Sequence, residues 1–418
     1  MATQTISDIT SILAKQRDFF ESNQSRDIDF RIEQLIKLKK AIKANENNIY
    51  EALSADFKKS QFETYATEIG VLYEEISCML KNIKKWATPQ LVTDTIANFP
   101  SRNYIYNDPY GVCLIIGAWN YPLSLTLAPV IGAIAAGNTC IIKPPRASIH
   151  AYRIIQKIIA DNFNENYLTV LDEYSDNNEM LSHRYDYIFF TGSVEVGRTI
   201  AKAAAEFLTP TTLELGGKSP CIIDKQADIV VAAKRVAWGK FLNGGQTCIA
   251  PDYLLLHHDV KEKFYTAFKN SLKEFYGNNP QDSADFPRII NDKHFNRLSS
   301  MITDGKIITG GKTDEDTRYI APTLIEIDSL EHPLMRDEIF GPILPVLTIH
   351  SIDEAISIVK KFEKPLAFYI FSNNYANQQK CLHTVQFGGG CINDTLAHFV
   401  NDGLPFGGVG NSGIGAYH

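Results

Sequence analysis

Apolar positions give the chain two textures. Over 31–57 (RIEQLIKLKKAIKANENNIYEALSADF) and 62–87 (FETYATEIGVLYEEISCMLKNIKKWA) they recur at helical spacing, so the N-terminal part reads as helices. Around 98–108 the pattern changes to alternation at Tyr104 and Tyr106, beside Asn107, Asp108 and Pro109, which predicts an extended arm. From Gly111 onward short apolar strands alternate with helices. Strands are expected at 112–116, 139–144, 167–172, 187–191 and 211–215, with helices at about 123–136, 147–160 and 194–207 between them. Apolar strands separated by helices call for a parallel sheet covered on both faces, whose ligands sit at the carboxyl ends of the strands. A second strand–helix series follows Gly217, with strands at 221–224, 254–258, 323–327 and 343–349 and a helix at 261–277. The change near Leu215–Gly217 is the expected boundary between two lobes.

Length agrees with that division, since 418 residues exceed what one compact core normally organises. Hydrophobic residues at 44% and charged residues at 21% are ordinary for a folded chain. A net charge of −7 argues against general nucleic-acid binding and supplies no polybasic hold on an anionic membrane. The longest apolar run, Leu123 to Ala136, is too short to span a bilayer, and MATQTISDIT lacks the features of a signal peptide. Seven cysteines without a CxxC pair or His/Cys cluster suit reduced thiols and no metal site, so a cytoplasmic location is expected.

Four segments combine glycines with reactive or polar side chains at strand ends: GAWNYP (117–122), FTGSVEVG (190–197), LELGGK (213–218) and GGQTC (244–248). An isolated cysteine is more often a packed small hydrophobe than a nucleophile. The glycines before Cys248 shift that balance, because they allow close backbone approach and a special turn. Glu214, in an apolar strand ending in two glycines, reads equally as a structural ion-pair member or as a general base with a raised pKa. Asn120 follows Trp119 just past a strand. Turn formation is the commoner role for asparagine, and stabilising an oxyanion is the chemical one. Gly192, Ser193 and Gly197 join a strand to a helix without the GxGxxG fingerprint, although such a turn can hold a pyrophosphate.

Together with IIKP, NGGQTCIAPDY, EIFGP and PFGGVGNSG, these segments in this order resemble the aldehyde dehydrogenase superfamily. GQTCIAPDY and RYIAPT resemble its class 3 branch, which includes fatty and aromatic aldehyde dehydrogenases, and the similarity runs from about Gln16 to His418. The resemblance implies an α/β fold with a Rossmann-type cofactor domain (1–97 and 109–215), an α/β catalytic domain (216–412) and a small oligomerisation arm (98–108 and 413–418) in a homodimer. It implies Cys248 as nucleophile, Asn120 and the Cys248 backbone N–H as oxyanion donors, and Glu214 as the base that activates water against the thioester. Glu338 and Phe340 would position the nicotinamide end of NAD or NADP, and Lys143 would reach the adenosine ribose. Gly192, Ser193 and Gly197 would line the pyrophosphate turn, with Trp119 and Leu215 also on the cofactor. Tyr121 and Trp238 are candidate walls of the substrate pocket, with core packing the equal alternative. The implied substrates are medium- or long-chain aliphatic, aromatic or polyene aldehydes.

Two departures from the family pattern stand out. The chain reads KPPRAS where a Ser–Glu pair is usual, so Pro145 and Arg146 replace the carboxylate that binds the ribose hydroxyls. A guanidinium there suits a 2′-phosphate and hence NADP, against the alternative of an arginine in solvent. The sequence also ends at Tyr417–His418, where class 3 members continue, so the C-terminal part of the arm is expected to be short or truncated. Transfer of the thioester to a thiol such as coenzyme A is the competing chemistry, and Glu214 argues against it. A non-enzymatic protein on this fold is the alternative of a different class, and retention of Cys248, Glu214 and Asn120 speaks against it.

Overall fold

The computed structural model describes residues 8–303 and 305–417. Residues 1–7 of the expected cofactor domain and His418 of the expected arm lie outside the described residues. The chain divides into two compact units, one of residues 1–53, 64–190 and 199–211, the other of 54–63, 191–198 and 212–418.

The helical N-terminal texture resolves into more elements than the periodicity predicts. The stretch 31–57 is two helices, Ile28–Ala44 and Glu46–Phe57, parted at Asn45, whose side chain turns back to donate to the Ala41 carbonyl at 2.9 Å. Asp27 caps the first of them by accepting from the Phe30 N–H at 2.8 Å. The stretch 62–87 is likewise interrupted. A short helix, Gln61–Thr64, passes through a π-helical turn at Tyr65–Ile69 into the helix Gly70–Trp86. Helix Ile28–Ala44 packs against Gly70–Trp86 and against Ser124–Ala136, a helix apolar all round and mostly buried.

Strands β1 (Gln90–Val92) and β2 (Asn103–Ile105) form an exposed antiparallel ribbon, which starts earlier than the extended arm expected at 98–108. Then come β3 (Val112–Ile116), β4 (Thr139–Lys143), β5 (Leu168–Val170) and β6 (Tyr187–Thr191). They run parallel in the order β6-β3-β4-β5, each within two residues at either end of its expected range. Their buried aliphatic side chains explain why they read as continuous apolar runs.

In the second unit β7 (Thr211–Glu214) pairs antiparallel with β17 (Gly413–Ile414), matching Glu214 to Gly413. The main sheet uses β8 (Pro220–Ile223), β9 (Tyr253–His257), β10 (Lys306–Thr309), β13 (Thr323–Glu326), β14 (Ile343–Ile349), β15 (Ala367–Phe371) and β16 (Gly389–Ile392), while β11 (Thr313–Asp314) and β12 (Tyr319–Ile320) pair with each other in a separate two-stranded ribbon. The order in the main sheet is β10-β13-β14-β9-β8-β15-β16, parallel except between β10 and β13. The pleat sends alternate residues to two cores. Cys221, Ile223, Leu254, Leu256, Tyr369 and Phe371 enter one, while Ile222, Leu255, Phe368 and Ile370 enter the other. Helices Ile229–Phe241 and Lys261–Tyr276 pack on each other.

The units differ from the expected lobes in giving 54–63, 191–198 and 212–215 to the second. Local bonds account for the last two segments: Gly192 N–H donates to the Glu214 carbonyl at 3.0 Å, Leu215 N–H to Ser412 at 3.1 Å, and Arg198 to Asn411 at 3.1 Å. Among the described residues no helix is long and apolar enough to cross a membrane.

Candidate active site

Cys248 sits on a turn that the sequence just before it compels. Asn243, Gly244 and Gly245 are successive left-handed residues, with φ of 54°, 62° and 75°. A side chain on Gly245 would place its Cβ 2.3 Å from the Gly341 carbonyl oxygen, so glycine is required for both shape and space. Gln246 is fully buried and spends its amide on the turn. Its Nε2 donates to the Asn243 and Arg288 carbonyls at 2.9 and 3.1 Å, and its Oε1 accepts from the Ile290 N–H at 3.0 Å. Beyond the cysteine, the Tyr369 hydroxyl donates to the Ile249 carbonyl at 2.6 Å. The Cys248 thiol is half-buried. Burial first, then the Glu338 and Glu214 carboxylates, push its pKa up to about 12, opposed by the backbone N–H groups of Cys248 and Ile249 directed at the sulfur.

Glu214 ends β7 as a buried side chain, and neither carboxylate oxygen has a hydrogen-bond partner. The ion pair that the sequence left open is therefore not formed. Burial alone pushes its pKa up to about 8, so near neutral pH the group is poised to exchange a proton.

Glu338 lies against the glycines that follow Glu214. A Cβ on Gly216 would come within 2.0 Å of Glu338 Oε2, and the Gly217 N–H donates to the same carboxylate. Burial and the neighbouring Asp252 push its pKa up to about 8, against the pull of the Gly217 N–H, Lys218 and Lys240. The turn carrying Glu338 is fixed through its flanking backbone. Lys218, ion-paired with Asp252 at 2.5 Å, donates to the Asp337 carbonyl at 3.0 Å. Asp252 accepts from the Ile339 N–H at 2.9 Å, and Arg297 donates to the Ile339 carbonyl at 2.7 Å. Phe340 is then held at φ 50°, a conformation that a bulky residue keeps only under such constraint.

The strand-to-helix turn at Gly192–Gly197 fits an anionic ligand in part. Ser193 is exposed before the helix Val194–Glu206, where backbone N–H groups favour phosphate. Gly197 serves packing instead, since a Cβ there would meet Leu215 at 2.6 Å, and Leu215 is itself buried. Trp238 is 44% exposed on helix Ile229–Phe241, so it is not the core residue that its alternative reading required.

In the first unit, Trp119, Asn120 and Tyr121 follow the carboxyl end of β3. Asn120 is buried, Trp119 and Tyr121 half-buried. Lys143 closes β4, buried, with its ammonium donating to the Asp172 carbonyl at 2.7 Å, and burial lowers its pKa. Arg146 is exposed, its guanidinium 5.0 Å from the ring centroid of Tyr174.

Sequence reasoning passed over Lys218, Asp252 and Arg297, because their shared target lies up to 119 residues away in the chain. It also passed over Glu68, a buried carboxylate whose Oε2 accepts from the backbone N–H groups of Leu123 and Ser124 at 2.8 and 3.1 Å.

Parallel strands with polar groups at their carboxyl ends, beside a strand-to-helix turn, make an α/β fold of the kind that binds its ligands at the strand ends. The profile described as the aldehyde dehydrogenase family matches residues 1–418, and the chain belongs to that family. It is 48% identical to the 4,4'-diaponeurosporen-aldehyde dehydrogenase of Staphylococcus aureus (strain NCTC 8325 / PS 47), over 96% of this chain and 88% of that one. It is 43% identical to the "Aldehyde dehydrogenase, dimeric NADP-preferring" of Rattus norvegicus, over 99% of this chain and 91% of that one. A solved structure titled "Substrate bound state of Staphylococcus Aureus AldH" superposes with a TM-score of 0.96 at 46% identity, covering 98% of this chain and 90% of that one. The chain is thus an NAD(P)-dependent aldehyde dehydrogenase, as its motifs led us to expect.

Proposed function

We propose that this enzyme oxidises a medium- or long-chain aliphatic, aromatic or polyene aldehyde to the carboxylic acid through a thioester on Cys248. The observation that carries the mechanism is the partnerless, buried carboxylate of Glu214, close enough to raise the Cys248 pKa. The substrate class rests on the relatives, one of which is named for a polyene aldehyde.

Cys248 gives up its proton to solvent and its sulfur attacks the carbonyl carbon, the carbonyl π pair moving onto oxygen to form a thiohemiacetal oxyanion. Asn120 donates its side-chain N–H, and Cys248 its backbone N–H, to the developing oxyanion. The nicotinamide, when bound, supplies the acceptor for the hydride that leaves the former carbonyl carbon. Glu338 and Phe340 orient that acceptor, with the constrained turn keeping both in place. Glu214 then takes a proton from water, whose oxygen attacks the thioester carbon, and the acid departs as the thiol is restored. Because Glu214 is set to serve water, hydrolysis is favoured over transfer to a thiol such as coenzyme A.

Lys143 holds the adenosine ribose, and Arg146, backed by the Tyr174 ring, accommodates a 2′-phosphate, so NADP is used well beside NAD. The rat relative named as NADP-preferring supports this reading. The enzyme works as a cytoplasmic homodimer. Exposed Leu91, Ile96, Phe99 and Ile105 on and around the β1–β2 ribbon offer an apolar surface to a second subunit.

The test is formation of reduced cofactor from a panel of short aliphatic aldehydes, decanal, benzaldehyde and a polyene aldehyde, each with NAD and with NADP, and with the product identified. Turnover of the longer or aromatic members to free acid is expected. An acyl-thioester product, or turnover that survives in Cys248→Ala, would overturn the mechanism.

A further inference from the structure

The helix Ser124–Ala136, which begins four residues after Asn120, starts without a local cap. Pro122 and Leu123 precede it, and Leu123 offers no side-chain acceptor for the unpaired N–H groups of its first turn. The missing acceptor comes from more than fifty residues upstream, where Glu68 accepts from the Leu123 and Ser124 N–H groups. Its charge also suits the positive end of the helix dipole. Glu68 lies on the π-helical turn Tyr65–Ile69, closed by the Gly70 N–H donating to the Tyr65 carbonyl. A Cβ on Gly70 would come within 2.9 Å of that carbonyl oxygen. Such one-residue insertions in helices often mark functional sites.

We infer that Glu68 is a positioning residue for the oxyanion donor Asn120, acting through the start of the helix that follows it. The inference rests on the proposed role of Asn120. The chain from Asn120 into the helix is short and stiff: Pro122 fixes one backbone angle, and the Tyr121 carbonyl already accepts from the Leu125 N–H at 2.9 Å. Pinning Leu123 and Ser124 therefore fixes where Asn120 stands.

The experiment compares Glu68→Gln, Gly70→Ala, Asn120→Ala and the double variant Glu68→Gln/Asn120→Ala, with kcat expressed per active site by burst titration. Glu68→Gln keeps the shape but weakens both bonds. We expect it to lower kcat per site about 10-fold with the cofactor KM unchanged, and Gly70→Ala to act in the same direction without altering the carboxylate. The double variant should be no slower than Asn120→Ala alone, because both changes remove the same contribution. A merely structural Glu68 would instead reduce the number of active sites and the melting temperature while leaving turnover per site intact, and that result overturns the inference. Additive losses in the double variant overturn it too. Wild-type turnover in Asn120→Ala would overturn the role of Asn120 itself, a failure distinct from the other two.

Discussion

The turn bearing Cys248 takes its shape from its own left-handed residues, with Gln246 closing on Asn243 and tying the turn to Arg288 and Ile290, whereas the helix start after Asn120 has no local cap and relies on Glu68. In the first case the residues that make the shape surround the residue that does the chemistry. In the second the local sequence lacks what a helix start needs, and a remote helix supplies it. A turn shaped by its own backbone should tolerate loss of its reactive group, while a helix start capped from afar should respond to changes far from it.

The largest effect should come from taking the thiol out of the turn at Cys248. Cys248→Ala should fold normally, with a melting temperature close to wild type, and lose aldehyde oxidation by about 10,000-fold or more. A collapse in stability would show that the turn depends on the cysteine after all. Next, Glu214→Gln should lower steady-state kcat by roughly 100- to 10,000-fold while the first turnover still appears as a burst, with acyl-enzyme detectable by mass. The wild-type enzyme should gain turnover as pH rises through about 8, because Glu214 must lose its proton to act as base, and this rise should be absent from the glutamine variant.

Gln246→Ala should strike the turn itself. It strands buried backbone groups at Asn243, Arg288 and Ile290, and should cost on the order of 3 kcal/mol in chemical denaturation. An unchanged denaturation midpoint would mean that the glycines alone hold the turn. The smallest effect is expected away from both turns: Arg146→Glu should lower the ratio of kcat/KM for NADP to that for NAD by about 10-fold. A ratio that does not move would leave Arg146 as a surface residue stacked on Tyr174.

What could be read from the sequence follows the same division. The parallel strands were legible because strands covered on both faces are apolar along their whole length, as Val112–Ile116 and Tyr187–Thr191 show. The turn at Gly244 and Gly245 was legible because positive-φ turns leave glycine in the sequence. Glu68 was not, since an acidic residue in a helical repeat gives no sign of whether it faces solvent or a distant helix start. Nor was the π-helical turn, whose only trace is Gly70. The division at Asn45 was hidden because helical spacing continues on both sides of it. The hold on Phe340 by Lys218, Asp252 and Arg297 depends on contacts that no local pattern carries.

The raised pKa of Cys248 bears on how the enzyme survives when idle. Peroxides and alkylating agents attack thiolates far faster than thiols, so a cysteine kept protonated chiefly by burial is a poor target for them. A resting thiol held in its protonated form is therefore expected to be oxidised slowly.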